Sequence, residues 1–175
     1  MTPALLCVVG ASGAGKTAAV DALEARRLTG VTCHHFDSIG VPSPDAMVRE
    51  WGSGERWQEE MTKRWLARFA TSADGAEIAV LEGQTRPSFI QAHVPSSGLR
   101  HRILLLDCSA AVRHRRLCGP RAQPELSNPQ MDSWAAYLRG QADALRLRVI
   151  DTSDCSVAQV ADILQKEVEA LRAAV

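Results

Sequence analysis

Residues 8–20, VVGASGAGKTAAV, constrain the fold more than any other part of the chain. The run GASGAGKT sets Gly10, Gly15, Lys16 and Thr17 at the spacing G-x-x-x-x-G-K-[ST], with an apolar run before it and a helical pattern after it. Glycines in such a loop let backbone N–H groups converge on an anion with no Cβ in the way. The dipole of a helix starting near Lys16 adds to the attraction. The loop of Gly10, Ala11, Ser12, Gly13, Ala14, Gly15, Lys16, Thr17 and Ala18 is therefore read as the cradle of a nucleoside triphosphate with Mg²⁺. Lys16 reaches toward the β- and γ-phosphates, and Thr17 offers its hydroxyl to the metal. The plain alternative is a Gly/Ala-rich turn with an exposed lysine, and the strand–loop–helix context argues against it.

The pattern around the cradle repeats that context. Residues 5–9 read as a buried strand, and residues 16–28 as a helix with Ala19, Val20 and Leu23 on one face before Gly30. Residues 31–36 give a second strand ending at Asp37, and Ser43 before Pro44 reads as a helix cap. Trp57, Met61, Trp65 and Phe69 recur every four residues in a helix over 55–71. Residues 77–81 form a third strand that stops at EGQTRP, and 102–106 a fourth that ends at Asp107. A basic helix with Arg113, Arg115 and Arg116 follows, then the loop CGPRAQPELSNP. A helix striped with Met131, Trp134, Leu138, Ala142 and Leu145 precedes a fifth strand at 147–150. The last helix carries Val157, Val160, Ala161, Leu164, Val168 and Leu171 on one side. Apolar strands alternating with helices predict a parallel sheet of five strands with helices on both faces, whose ligands sit past the carboxyl ends of the strands.

The rest of the composition narrows the class. With 175 residues, no repeat and no long linker, one domain over 1–175 is expected. Twenty basic residues balance twenty acidic ones with no basic block, which points away from nucleic acid and membrane surfaces and toward a small partner. The N-terminal MTPALLCVVG has no basic leader and reads as a strand, and no run approaches the roughly 18 apolar residues of a membrane span. Cys7, Cys33, Cys108, Cys118 and Cys155 are scattered with no CxxC pair, as suits reduced thiols in a cytoplasm. Cys33, His34 and His35 adjoin one another, but alternate residues of a strand face opposite ways, so the three do not converge on one ion.

No guanine-reading NKxD string occurs, and the layout resembles the small P-loop kinases, the nucleoside monophosphate kinase-like group that includes shikimate and gluconate kinases and chloramphenicol phosphotransferase. Three short stretches carry the resemblance beyond the cradle. In HFDSIGVPSP, Asp37 is similar to the carboxylate that these kinases hold beside the acceptor hydroxyl, which implies a general base; a turn cap is its alternative. LEGQTRP is similar to the DG-x-x-R element of nucleotide kinases. There the resemblance implies for Glu82 a ligand of Mg²⁺, directly or through water, or a residue that orients the loop, for Gly83 a close approach of substrate, and for Arg86 a contact with substrate or phosphate, although glutamate replaces the usual aspartate; a solvated arginine before a helix begun by Pro87 is the alternative for Arg86. The arginines after the fourth strand resemble a lid over about 117–130, with Arg116 and Arg121 closing on the phosphates, while Arg113 and Arg115 read as a solvated helix face. Thr152, after the fifth strand, falls where such kinases pack the loop against the base; Asp151 and Ser153 share that place, and a helix N-cap explains Ser153 or Ser156 as well.

The resemblance thus implies the three-layer P-loop NTPase fold with an acceptor-side insertion at about 38–75, monomeric or homodimeric. It implies transfer of the γ-phosphate of ATP to a hydroxyl of a small-molecule acceptor, a metabolite or an antibiotic. A nucleoside or nucleoside monophosphate kinase is the alternative within enzymes, and a non-catalytic ATP-binding regulatory protein the alternative outside them. Trp57 and Trp65 border the expected acceptor pocket, and their spacing favours the core over a ring-stacking role.

Overall fold

Hydrophobic alternation along β1 (Ala4–Val9) sets up the architecture: Leu5, Cys7 and Val9 feed one buried cluster, and Ala4, Leu6 and Val8 another on the opposite face. A strand buried on both faces belongs at the centre of a covered parallel sheet. The computed structural model, which describes residues 3–71 and 75–174, has it there. The sheet order is β2-β3-β1-β4-β5, with β2 (Val31–His35), β3 (Ile78–Gly83), β4 (Arg100–Asp107) and β5 (Arg148–Asp151), all pairs parallel. Helices α1 (Lys16–Glu24) and α7 (Val157–Ala173) cover one face through Val20, Leu23, Leu164 and Val168. Helices α3 (Gly54–Ala70), α4 (Pro87–Ser97) and α6 (Pro129–Ala144) cover the other through Trp57, Trp65, Ile90 and Leu138. Two further helices, α2 (Pro44–Trp51) and α5 (Ala110–Cys118), complete the described set.

Trp57 and Trp65 are core residues, and the Trp65 indole N–H donates to the Phe36 carbonyl at 3.2 Å. Ser43 caps α2 by accepting from the Ala46 amide at 3.3 Å. Of the expected insertion over 38–75, residues 72–74 lie outside the described residues. Among the described residues no helix is long and apolar enough to cross a membrane. His34 and Cys33 part as strand alternation requires: the His34 ring lies 5.1 Å from Phe69, and Cys33 packs into the α1/α7 cluster.

The register positions the site. Val9 pairs with Gly83 on one side and Leu105 on the other, so β1 and β3 end together, while β4 runs on to Asp107, which pairs with Asp151. Strand order reverses around β1, which opens a crevice at the carboxyl edge. The loop after β1, Asp37 after β2, Glu82 at the end of β3 and Thr152 after β5 all lie along this edge.

Candidate active site

The cradle depends on glycine for backbone and for space. Gly10, Gly13 and Gly15 have φ of +157°, +82° and +90°, values that L side chains rarely adopt. At Gly10 a Cβ would also lie 2.3 Å from the Leu106 carbonyl oxygen of β4. Gly10→Ala is expected to destabilise the fold by about 3 kcal/mol through strain and overpacking, read from a urea midpoint. An unchanged midpoint would show that the loop does not need this packing. Side chains of Ser43, Ser53, Ser109, Asn128 and Ser156 cap α2, α3, α5, α6 and α7, whereas α1 starts on Gly15 with no side-chain cap. Its first amides, next to Lys16, are left to an anion.

Lys16 is only 5% exposed, and its ammonium donates to the Ala11 carbonyl at 3.1 Å. It makes no ion pair among the described residues. Burial lowers its pKa from 10.5 to about 8, against the opposing pull of Glu82 and Asp37 and with help from Arg121. A buried cation with no carboxylate partner, set among uncapped amides, is a site built for an anion.

Beside it, the Thr17 hydroxyl donates to Glu82 Oε1 at 3.1 Å, and His35 Nδ1 lies 2.8 Å from the same oxygen. His35 Nε2 lies 3.3 Å from Asp21 on α1, so Asp21, His35, Glu82 and Thr17 form one chain of contacts. The hydrogen bond to Glu82 raises the His35 pKa. Asp37 sits in the 3₁₀ turn Phe36–Ile39 that follows β2. It is the Asp37 carbonyl, not the side chain, that accepts the turn-closing bond from the Gly40 amide, at 3.0 Å. Among the described residues its carboxylate has no partner, although it lies close enough to Lys16, Glu82 and Arg121 to feel their charge. Partial desolvation, then the Glu82 carboxylate, hold its pKa above the usual aspartate value, with Lys16 and Arg121 pulling the other way.

On the far side of the cradle lies a cavity of about 570 Å³, lined by Gly13, Gly15, Thr17, Ala18, Arg116, Arg121, Thr152 and Val157 among others. Arg116 donates to the Gly13 carbonyl at 3.2 Å, to the Thr152 hydroxyl at 2.9 Å and to the Thr152 carbonyl at 2.6 Å. The Thr152 hydroxyl also faces the Ala14 carbonyl at 2.9 Å, so Thr152 is buried structure of the cradle as well as cavity wall. Ser156, not Ser153, is the N-cap of α7, and together with Gln159 it forms a capping box. Arg121 is exposed and donates to Gln123. Of residues 117–130, the first two finish α5, the last two begin α6, and a 3₁₀ turn Pro124–Leu126 lies between. Val157, expected on the buried stripe of the last helix, instead is exposed at the mouth of this cavity.

One expectation is corrected outright. Arg113 is buried, not solvated: it pairs with Asp132 at 2.8 Å and Asp107 at 3.4 Å and donates to the Cys108 carbonyl at 3.0 Å. The Gly13 backbone approaches so closely that a Cβ there would lie 2.8 Å from Arg113 Cγ. The aspartates that make this burial tolerable lie six positions before it and nineteen after it, beyond the reach of helical periodicity.

Gly83, the last residue of β3, has a packing reason for its identity, since a Cβ would lie 2.5 Å from Phe36 Cβ. Gln84 donates to the Ser12 hydroxyl at 2.9 Å, tying this segment to the cradle. Arg86 donates to Gln58 at 2.7 Å and faces Glu55 at 3.7 Å. Its guanidinium carbon lies 5.0, 5.4 and 5.7 Å from the rings of Trp134, Phe89 and Tyr137. Sequence reasoning singled out neither Gln84 nor His35 for this network. Gln84 lies within LEGQTR, whereas the partners of His35 are visible only once β2 and β3 are paired.

No model of a known protein family matches the chain, and no curated protein matches its sequence. Solved structures do match. A shikimate kinase from Acinetobacter baumannii in complex with shikimate is 17% identical, over 97% of this chain and 94% of that one, with a TM-score of 0.62. A gluconokinase from Sinorhizobium meliloti is 18% identical over 92% and 89%, with a TM-score of 0.58. The Deinococcus radiodurans tunicamycin resistance protein is 17% identical over 95% of each chain, with a TM-score of 0.63. The chain therefore has the fold of the small P-loop kinases, the three-layer α/β architecture that the sequence implied.

Proposed function

We propose that the protein is an ATP-dependent phosphotransferase that moves the γ-phosphate to a hydroxyl of a small molecule. The observation that carries this reading is Lys16, a buried ammonium without an ion pair among the described residues, at the mouth of a helix with no side-chain cap. The loop from Gly10 to Ala18 and Lys16 bind the triphosphate, and the cavity bounded by Arg116, Arg121 and Thr152 takes the nucleoside side. Thr17 and Glu82 present adjacent oxygen atoms, the donor chemistry Mg²⁺ prefers, and would hold it directly or through water. When bound, the metal neutralises charge on the phosphates. Asp37 accepts the proton of the attacking hydroxyl, for which an unpartnered carboxylate of raised pKa in the crevice is suited. Glu82, Gly83 and Arg86 bound the acceptor side, and Arg116 and Arg121 stabilise the transferring charge while the 117–130 segment excludes water. The solved neighbours named as shikimate kinase and gluconokinase support a small hydroxylated acceptor.

The test is transfer of label from [γ-³²P]ATP with magnesium to a panel of hydroxylated metabolites, nucleosides and antibiotics. A labelled acceptor, with transfer outpacing ATP hydrolysis, is the expected result. Tight ATP binding with no transfer to any acceptor, together with nucleotide-dependent capture of a protein partner, would favour the regulatory reading.

A further inference from the structure

A second cavity, of about 610 Å³, opens between Glu55 at the start of α3, Arg86, and the first turns of α6. Its volume is that of a small-molecule pocket. It lies on the acceptor side: Gln58, one turn along α3, holds both Arg86 and the Gln84 carbonyl, and Gln84 reaches the cradle through Ser12. The adjoining Trp57 meets the ring of Phe36, the residue before Asp37, edge-on at 6.1 Å.

The lining decides what fits. Trp134 and Tyr137 stack at 5.4 Å with 20° between their planes, and both line the cavity, where Tyr137 is 44% exposed. Among the described residues of the lining the one cation, Arg86, lies 3.7 Å from the one anion, Glu55. Arg86 Nη1 donates to Gln58, its Nε is buried without a hydrogen-bond partner among the described residues, and three aromatic rings pack around it. An acceptor carboxylate would have to unseat Glu55, and a monophosphate dianion would meet one compensated cation where several are needed. From this we infer that the acceptor is a neutral hydroxylated molecule bearing a planar ring, which lies against the Trp134–Tyr137 wall. Arg86 fixes that wall by its stacking contacts. Gln130 and Ser133, also in the lining, offer neutral hydrogen bonds at the rim.

This inference rests on the kinase reading for the word acceptor, but the pocket is testable without it. Binding to the full chain is measured by calorimetry, with and without a non-hydrolysable ATP analogue, for four probes that separate ring from charge. These are 1-phenylethane-1,2-diol, mandelate, glucitol and gluconate. The aryl diol is expected to bind about tenfold more tightly than glucitol or gluconate and more tightly than mandelate. Trp134→Ala and Tyr137→Ala each remove that preference, and Tyr137→Phe keeps it. Glu55→Gln, which frees Arg86, raises mandelate affinity about tenfold and leaves the diol within about twofold. Tighter binding of mandelate or gluconate by the unaltered protein overturns the inference, as does an aryl-diol affinity unmoved by both alanine variants. Diol binding with no phosphate transfer to any acceptor sinks the kinase reading alone, whereas transfer to gluconate but not to the diol sinks this one alone.

Discussion

Replacing Lys16 with methionine is expected to lower kcat/KM for phosphate transfer by about 10²–10³-fold and at the same time to make the nucleotide-free protein more stable. Both effects come from one fact, the burial of an ammonium whose one hydrogen-bond acceptor among the described residues is the Ala11 carbonyl. With its pKa lowered from 10.5 to about 8, the charged lysine costs the fold about 3 kcal/mol at neutral pH. The unfolded chain binds the proton more tightly, so that cost is fully present below about pH 8 and fades as pH rises toward 10.5. Lys16→Met therefore gains most at pH 7, and its advantage over the unaltered protein shrinks above pH 8. Urea unfolding at pH 7 and pH 9.5 reads the gain, and titration with a fluorescent ATP analogue reads the accompanying loss of affinity. In the unaltered protein nucleotide affinity falls as pH rises through about 8, because the neutral amine no longer attracts phosphate. A less stable methionine variant at pH 7 would mean that Lys16 is a structural donor to Ala11 and not a stored charge.

What the sequence made legible was local or followed from strand periodicity. The cradle is one contiguous string, so its glycines, Lys16 and Thr17 could be placed before any tertiary contact was known. Asp37 and Glu82 were legible because the ends of parallel strands share one edge, and each follows or closes an apolar run. The rest required partners far along the chain. Arg113 reads as solvated until Asp107 and Asp132 are brought beside it. His35 reads as one of three adjacent metal-type residues until β2 pairs with β3 and sets it against Glu82. Trp134 shows its helical stripe in the sequence and stacks on Tyr137 three residues along the same helix, but the closing of that pair around Arg86 depends on how α6 meets α3 and α4. Boundaries shifted for a related reason: the first helix stops at Glu24 and not at residue 28, where Arg27 turns to a left-handed φ of +49°.

Asp37→Asn is expected to lower kcat by about 10²–10⁴-fold, the usual worth of a positioned general base, with ATP affinity changed little beside that loss. The pH profile separates this role from a structural one. In the free enzyme Asp37 acts only when deprotonated, so kcat/KM rises with pH through its upward-shifted pKa, and it falls again as Lys16 loses its proton near 8. The asparagine variant keeps the alkaline limb and loses the acid limb in whatever activity remains. Stability moves the other way from activity. A carboxyl group whose pKa is raised by folding favours the fold below its unfolded pKa of 3.8 and loses that favour as pH rises through the folded value. At pH 7 the charged Asp37, next to Glu82, is a burden that a neutral amide lifts, so the variant is expected to melt at or above the temperature of the unaltered protein. Full transfer activity in Asp37→Asn with an intact acid limb would move the base elsewhere in the crevice. A drop in both activity and melting temperature would instead make Asp37 a support of the turn at Phe36–Ile39.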